Sequence, residues 1–161
     1  MWVGSDLRFF CDRMLGKLAK KLRLLGFDVL YFSELDEKEI LKLSERRILL
    51  TRDKILYRWA IKRGIRVFYI KSDRWRSQLK AVASIFPLEK YAKPFTRCSV
   101  CNGILVSVAK EEVQGKVPEY VFKTVEEFKV CEDCGRIYWK GSHIDWIVED
   151  VGKLVRVWKE A

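Results

Sequence analysis

Histidine and side-chain amides are almost missing from this chain, which holds one His (His143), one Asn (Asn102) and two Gln (Gln78 and Gln114). A lone histidine excludes a two-histidine ribonuclease mechanism. No Gly-x-Ser-x-Gly elbow accompanies it to build a Ser-His-Asp hydrolase. His143 follows Trp139-Lys140-Gly141-Ser142, where helix capping and RNA contact are both open and the structural role is favoured. Glycine-rich phosphate loops are missing too, so a nucleotide cofactor is not indicated. No apolar run approaches the roughly 20 residues of a membrane span. The segment Met1 to Phe10 reaches Asp6 and Arg8 too soon for a signal peptide. A soluble cytoplasmic protein with no membrane partner is expected. Few amides against 34% charged residues is the bias of a thermophile protein, built for high temperature.

What is present in excess is positive charge. The net charge of +10 points to an anionic partner, nucleic acid first. Residues 1–97 hold 23 Lys+Arg against 11 Asp+Glu, whereas residues 98–161 hold 9 against 11. The halves therefore differ by sign, at +12 and −2, and are expected to do different jobs.

The split falls at two Cys-x-x-Cys pairs, Cys98-Ser99-Val100-Cys101 and Cys131-Glu132-Asp133-Cys134. Each is followed by a turn former, Asn102-Gly103 and Gly135, as in a knuckle whose amides point at the sulfurs. Four thiolates at this spacing suit one tetrahedral structural zinc, and a reducing compartment disfavours two disulfides. Cys11, the fifth cysteine, sits in an apolar run and reads as plain core.

The first 86 residues alternate strands with helices. Strands are expected at 7–11, 28–32, 48–51 and 66–70, and helices at 14–25, 37–45, 54–62 and 75–86. This pattern argues for an α/β protein with a parallel sheet covered on both faces. Residues 87–97 read as a linker. Short strands follow at 104–108, 128–130 and 137–139, with an acidic, poorly patterned loop around Glu111, Glu112 and Pro118. From Ser142 the tail reads as an amphipathic helix, with Ile144, Ile147, Val148, Val151, Leu154, Val155 and Trp158 on one stripe that docks on the body.

Asp12, Asp36, Asp53 and Asp73 share one topological position, the junction where a strand gives way to a helix. In an open parallel sheet those junctions lie along one edge, where ligands bind. Each aspartate alone could be a helix cap, and Asp36 to Glu39 fits a capping box. Together they would repel unless a cation neutralises them, and an all-oxygen set suits Mg²⁺ or Mn²⁺. Such a cation in a basic domain fits phosphodiester hydrolysis. Arg13, Lys17 and Arg52 lie beside the acids, and Lys17, Lys20 and Lys21 cluster on the first helix, all suited to an RNA backbone.

Three further stretches carry a resemblance. The run Phe10 to Ala19, Leu24-Leu25-Gly26-Phe27-Asp28 and Ile48 to Asp53 resemble the Mut-seven-C RNase domain family. So do the cysteine pairs and Arg136 to His143, in the family's order over nearly the whole chain. The resemblance implies a PIN-like nuclease fold with a C-terminal zinc ribbon. It also implies a metal-dependent ribonuclease whose acids are Asp12, Asp36, Asp53 and Asp73. Glu37 and Glu39 compete with Asp36, because PIN domains often use glutamate there. The expected organisation is a PIN-like domain at 1–90 and a zinc ribbon with a terminal helix at 91–161. The expected partner is RNA, cleaved at Asp12 and Asp53 with Mg²⁺ or Mn²⁺, the oligomeric state being left open. The rival is a non-catalytic RNA- or ribosome-binding factor on the same scaffold.

Overall fold

The computed structural model describes residues 7–140 and 149–153. Four short strands, β1 (Arg8–Cys11), β2 (Asp28–Tyr31), β3 (Ile48–Thr51) and β4 (Val67–Tyr69), form a parallel sheet in the order β2-β1-β3-β4. Helices α1 (Gly16–Leu24), α2 (Glu37–Leu43) and α3 (Lys54–Lys62) connect them, and α4 (Trp75–Ile85) follows β4. Strand residues alternate between two cores. Phe9, Cys11, Ile48 and Leu50 join Leu18, Leu22, Leu79 and Val82 of α1 and α4. Phe10 and Leu49 join Ile40, Leu41, Leu56 and Ala60 of α2 and α3. Cover on both faces explains why β1 and β3 are apolar runs without polar alternation. Burial also drives the Cys11 thiol far up, as befits a core residue.

The strand order sets the site. The chain leaves β1 for β2 on one side and β3 for β4 on the other, though β1 and β3 are paired neighbours. The switch point of the sheet lies between them, where open parallel sheets form their ligand crevice.

Three expected segments differ in the structure. The helix expected from Met14 opens as a 3-10 turn, Arg13–Leu15, because the Asp12 carboxylate captures the Met14 N–H at 2.8 Å. The stretch expected as a linker contains α5 (Leu88–Tyr91). Leu88 is fully buried in the first core, and the Lys93 N–H donates to the Leu25 carbonyl at 2.7 Å. The acidic loop folds as a 3-10 turn, Lys110–Val113, and α6 (Glu119–Thr124), which bury Val113 and Val121 against Phe128. Their apolar residues are too widely spaced to show a period.

Strands β5 (Leu105–Val108), β6 (Phe128–Cys131) and β7 (Ile137–Trp139) form an antiparallel ribbon in that order. Of the expected tail helix, residues 149–153 are described and are helical. Val151 is buried in the first core and Asp150 pairs with Arg76 at 2.7 Å. Ser142, His143, Ile144, Ile147, Val148, Leu154, Val155 and Trp158 lie outside the described residues. No helix among the described residues is long and apolar enough to cross a membrane.

The first cysteine knuckle is fastened to the sheet. Asn102, left-handed at φ 72°, donates its Nδ2 to Asp28 at 2.8 Å and accepts the Val29 N–H at 3.0 Å. Arg23, buried on α1, donates to the carbonyls of Val29, Ser99 and Val100 at 3.0, 3.2 and 3.1 Å. Asp28 also pairs with Arg47 at 2.8 Å and lies 3.9 Å from Arg97. Burial pushes its carboxyl up, but the bonds from Arg47 and Asn102 outweigh that and hold it below the usual range.

Asn102→Gly keeps the left-handed backbone but deletes both bonds, so it should lower stability by about 1–3 kcal/mol in denaturant melts. Asn102→Ala adds backbone strain and should cost more. Because the Asp28 pKa is lowered by folding, its contribution is complete above about pH 4 and is lost as pH falls. Asp28→Asn should therefore flatten the acid limb of the stability curve, read by melts across acidic pH.

Candidate functional site

At the switch point a cleft of about 280 Å³ opens, lined by Asp12, Arg13, Ser33, Asp36, Glu37 and Asp53 among others. That is several times the roughly 30 Å³ share of one water, room for a hydrated cation and a phosphate. Asp12 follows β1 and is buried, with 3% of its surface exposed. Its Oδ1 accepts from Met14 N–H, and its Oδ2 from the Thr51 hydroxyl at 2.5 Å and the Arg52 N–H at 2.9 Å. Three of its roughly four lone-pair positions are thus taken, and one remains. Thr51 in turn accepts the Asp53 N–H at 3.0 Å, so Asp12 and Asp53 are linked through one hydroxyl.

Asp53 and Asp36 are both caps and cleft residues. Asp53 Oδ1 accepts Ile55 and Leu56 N–H at 2.9 and 3.3 Å at the start of α3. Asp36 Oδ1 accepts Glu39 N–H at 2.9 Å, and Glu39 answers in a capping box. Capping occupies Oδ1 alone. Among the described residues neither Oδ2 accepts a hydrogen bond. The sequence posed capping and ligand binding as alternatives, whereas one carboxylate has the oxygens for both.

Asp73 stands apart: it is exposed and does not line the cleft. Glu37 lines it, whereas Glu39 is engaged in the capping box. Arg13 also lines it. Arg52 holds Asp12 through its backbone and sends its guanidinium to the Lys71 carbonyl at 3.3 Å, with Nε buried and unpartnered. Lys17 and Lys20 are exposed on α1, away from the cleft lining. Lys21 is half-buried, its ammonium 4.7 Å from the centre of the Trp75 ring, which Arg76 also covers. Burial first, then Lys20 and Arg76, lower its pKa. It belongs to the α1–α4 contact.

The four cysteines form a second centre. All four sulfurs lie within 4.8 Å of one another, with Cys98–Cys134 at 3.7 Å and Cys101–Cys131 at 3.4 Å. A disulfide needs about 2.05 Å. Tetrahedral Zn–S bonds of about 2.3 Å put sulfurs roughly 3.8 Å apart, so this donor set could bind zinc. Two glycines serve it differently. A Cβ on Gly103 would meet the Cys131 sulfur at 2.6 Å, whereas Gly135 meets nothing but takes φ 77°. The Tyr138 hydroxyl lies 3.0 Å from the Cys98 sulfur. Burial would raise that thiol, but the hydroxyl and the amides of Cys101 and Val100 bring it down to about 7. Among the described residues no other group of three or more Cys, His, Asp or Glu is so closely gathered. The cleft acids do not stand as a closed chelate.

A parallel α/β sheet with acids at its switch point is bonded to a ribbon that carries four closely gathered cysteines. The Mut7-C RNAse domain family model matches residues 7–151, and the chain belongs to that family. Comparison with curated proteins and with solved structures finds no match.

Sequence reasoning missed Arg23 and read Asn102 only as a turn former, whereas both tie the cysteine centre to the sheet. The only asparagine of an amide-poor chain was a usable signal; the buried arginine on an otherwise ordinary helix gave none. Gly103→Ala should disrupt the cysteine centre and lower bound zinc measured by elemental analysis, whereas Gly135→Ala should cost about 1 kcal/mol and leave zinc content unchanged.

Proposed function

We propose that this protein is a metal-dependent ribonuclease of PIN-like type, cleaving RNA phosphodiester bonds in the cleft beside Asp12 and Asp53. One observation carries the reading: three aspartates share a basic protein's cleft at the sheet's switch point, where Asp36 and Asp53 each keep Oδ2 free of the fold's hydrogen bonds among the described residues and Asp12 keeps one lone-pair position. Asp12 and Asp53 would hold Mg²⁺ or Mn²⁺, with Asp36 and Glu37 completing the acidic wall. A cation bound there would neutralise charge on the scissile phosphate and lower the pKa of a bound water. Because the acids are not gathered into a chelate, water would fill much of the coordination shell, as Mg²⁺ prefers.

The chain's own groups do the rest. Thr51 and the Arg52 amide fix the Asp12 carboxylate so that it cannot swing away from the cleft. Arg13 stands at the cleft to meet a phosphate oxygen. Asp36 and Glu37 stand where they could orient an attacking water. Asp73 enters this reading only through the family resemblance. In the same reading residues 1–90 form the nuclease half. Residues 91–161 form a ribbon whose Cys98, Cys101, Cys131 and Cys134 hold structural zinc.

The non-catalytic RNA-binding reading has one observation in its favour: every cleft aspartate also has a structural job. Two substitutions separate them. Asp53→Asn still caps α3 through Oδ1, so stability should change by less than about 0.5 kcal/mol. Cleavage of RNA with Mn²⁺ or Mg²⁺ should nevertheless be abolished. Asp12→Asn sets an amide against the two donors at Oδ2 and should lower stability by about 1–3 kcal/mol as well. Unchanged cleavage by Asp53→Asn, or no cleavage by the parent with any divalent ion, would favour the binding factor.

A further inference from the structure

The outer surface of α3 is not explained by the fold. Leu56 and Ala60 are its buried side. Lys54, Arg58 and Lys62 recur one turn apart on its exposed side, and Arg63 follows at its end. Residues 54–63 contain no Asp or Glu. Among the described residues none of these four cations makes an ion pair. Beside this basic ridge lie Ile55 and Trp59, 55% and 43% exposed and four residues apart.

The direction of that apolar pair follows from Tyr57. Tyr57 packs edge-on against Tyr69 of β4, 5.8 Å between ring centres, and β4 is an edge of the sheet. Residues two apart on a helix lie on opposite flanks, so Ile55 and Trp59 turn toward α2 and the cleft. The helix begins at the cleft: Asp53 is its cap, and Leu56 is part of the cleft wall. One helix therefore carries a cleft acid at its cap and, beyond the cleft lining, an exposed indole and a row of cations without ion pairs among the described residues.

From this juxtaposition we propose that α3 is the track for the single-stranded RNA that leaves the cleft. One base stacks on Trp59, and Lys54, Arg58 and Lys62 follow the phosphates. This inference rests on the ribonuclease reading and deepens it by naming the substrate class and the grip. A bare indole flanked by cations suits unpaired nucleotides, since every base offers a stacking face while a duplex hides it. An acidic protein surface would also answer the cations, but each nucleotide of an RNA strand supplies both a phosphate for the ridge and a base for the indole. Of the α1 lysines, Lys21 already stands on Trp75, and Lys17 and Lys20 are exposed with no exposed aromatic of α1 beside them.

The test is binding of a fluorescein-labelled single-stranded oligoribonucleotide, read by anisotropy at several salt concentrations. It is done in the Asp53→Asn background so that RNA is not consumed. Trp59→Ala should weaken binding about tenfold, and Trp59→Phe should restore most of it. Lys54→Glu, Arg58→Glu and Lys62→Glu together should weaken it more than tenfold and flatten the log–log salt slope by about 2. The corresponding reversal of Lys17, Lys20 and Lys21 should do less. All these side chains on α3 are exposed, so melting curves should stay close to the parent's. If the parent background binds RNA and the α3 variants bind it equally well, the track is elsewhere while the ribonuclease reading stands. If the parent binds no RNA, both fail. If Trp59→Ala instead converts a dimer to a monomer in sedimentation, the face belongs to a second copy and the inference is overturned.

Discussion

The carboxylate of Asp12 is the constraint on which the site depends. It sits where two paired strands send their chains in opposite directions, and it bonds to donors from both exits. A charge with 3% exposure is tolerable only because hydrogen bonds replace its lost water. That requirement fixes Thr51, shapes the turn after β1 and, through the Thr51 hydroxyl, positions Asp53. The cleft is thus a by-product of satisfying one buried anion. The shape of the cleft and the stability of the fold around it come from the same three bonds.

A second set of polar contacts makes one body of two modules. The sheet has its own two cores and the cysteine ribbon only a small one, formed by Cys98, Leu105, Cys131 and Tyr138. Their junction is built from directional bonds through Arg23, Asn102 and Asp28 rather than from apolar area. Buried charges without partners are costly, so such a junction tolerates little misalignment. The metal-ready end of the ribbon is the end that meets the sheet. Order in the cysteine knuckle and order in α1 and β2 are therefore coupled.

Much of this was legible before any coordinates. Strand–helix alternation gives the parallel sheet because Phe9 to Cys11 of β1 and Ile48 to Leu50 of β3 run apolar without alternation, as a doubly covered sheet allows. The cysteine pairs give the second centre because spacing alone limits what they can hold. Residues 87–97 misled because proline and lysine read as linker, whereas Leu88 has an apolar seat available only in three dimensions. The acidic segment misled for a related reason: Val113, Val121 and Phe128 meet across the ribbon, not along it. Asp73 shares a strand-exit position with the other acids. Sequence order gives no distance from the switch point, and β4 lies one strand beyond it.

Asn102 carries a chemical liability. Asparagine followed by glycine is the pairing most open to loss of the side-chain amide, and few thermolabile amides survive elsewhere in this chain. Hydrolysis there would exchange the Nδ2 donor for an oxygen set against Asp28, at a position now 2.8 Å from it. Two carboxylates would face each other, and the Val29 amide would compete for a repelled partner. The bonds that hold Asn102 also restrain the side chain from the rotation that attack on it requires. Those bonds must open before ageing of the protein can start at this position. It lies in the seam between the modules, and loosening of that seam would expose the residue to further damage.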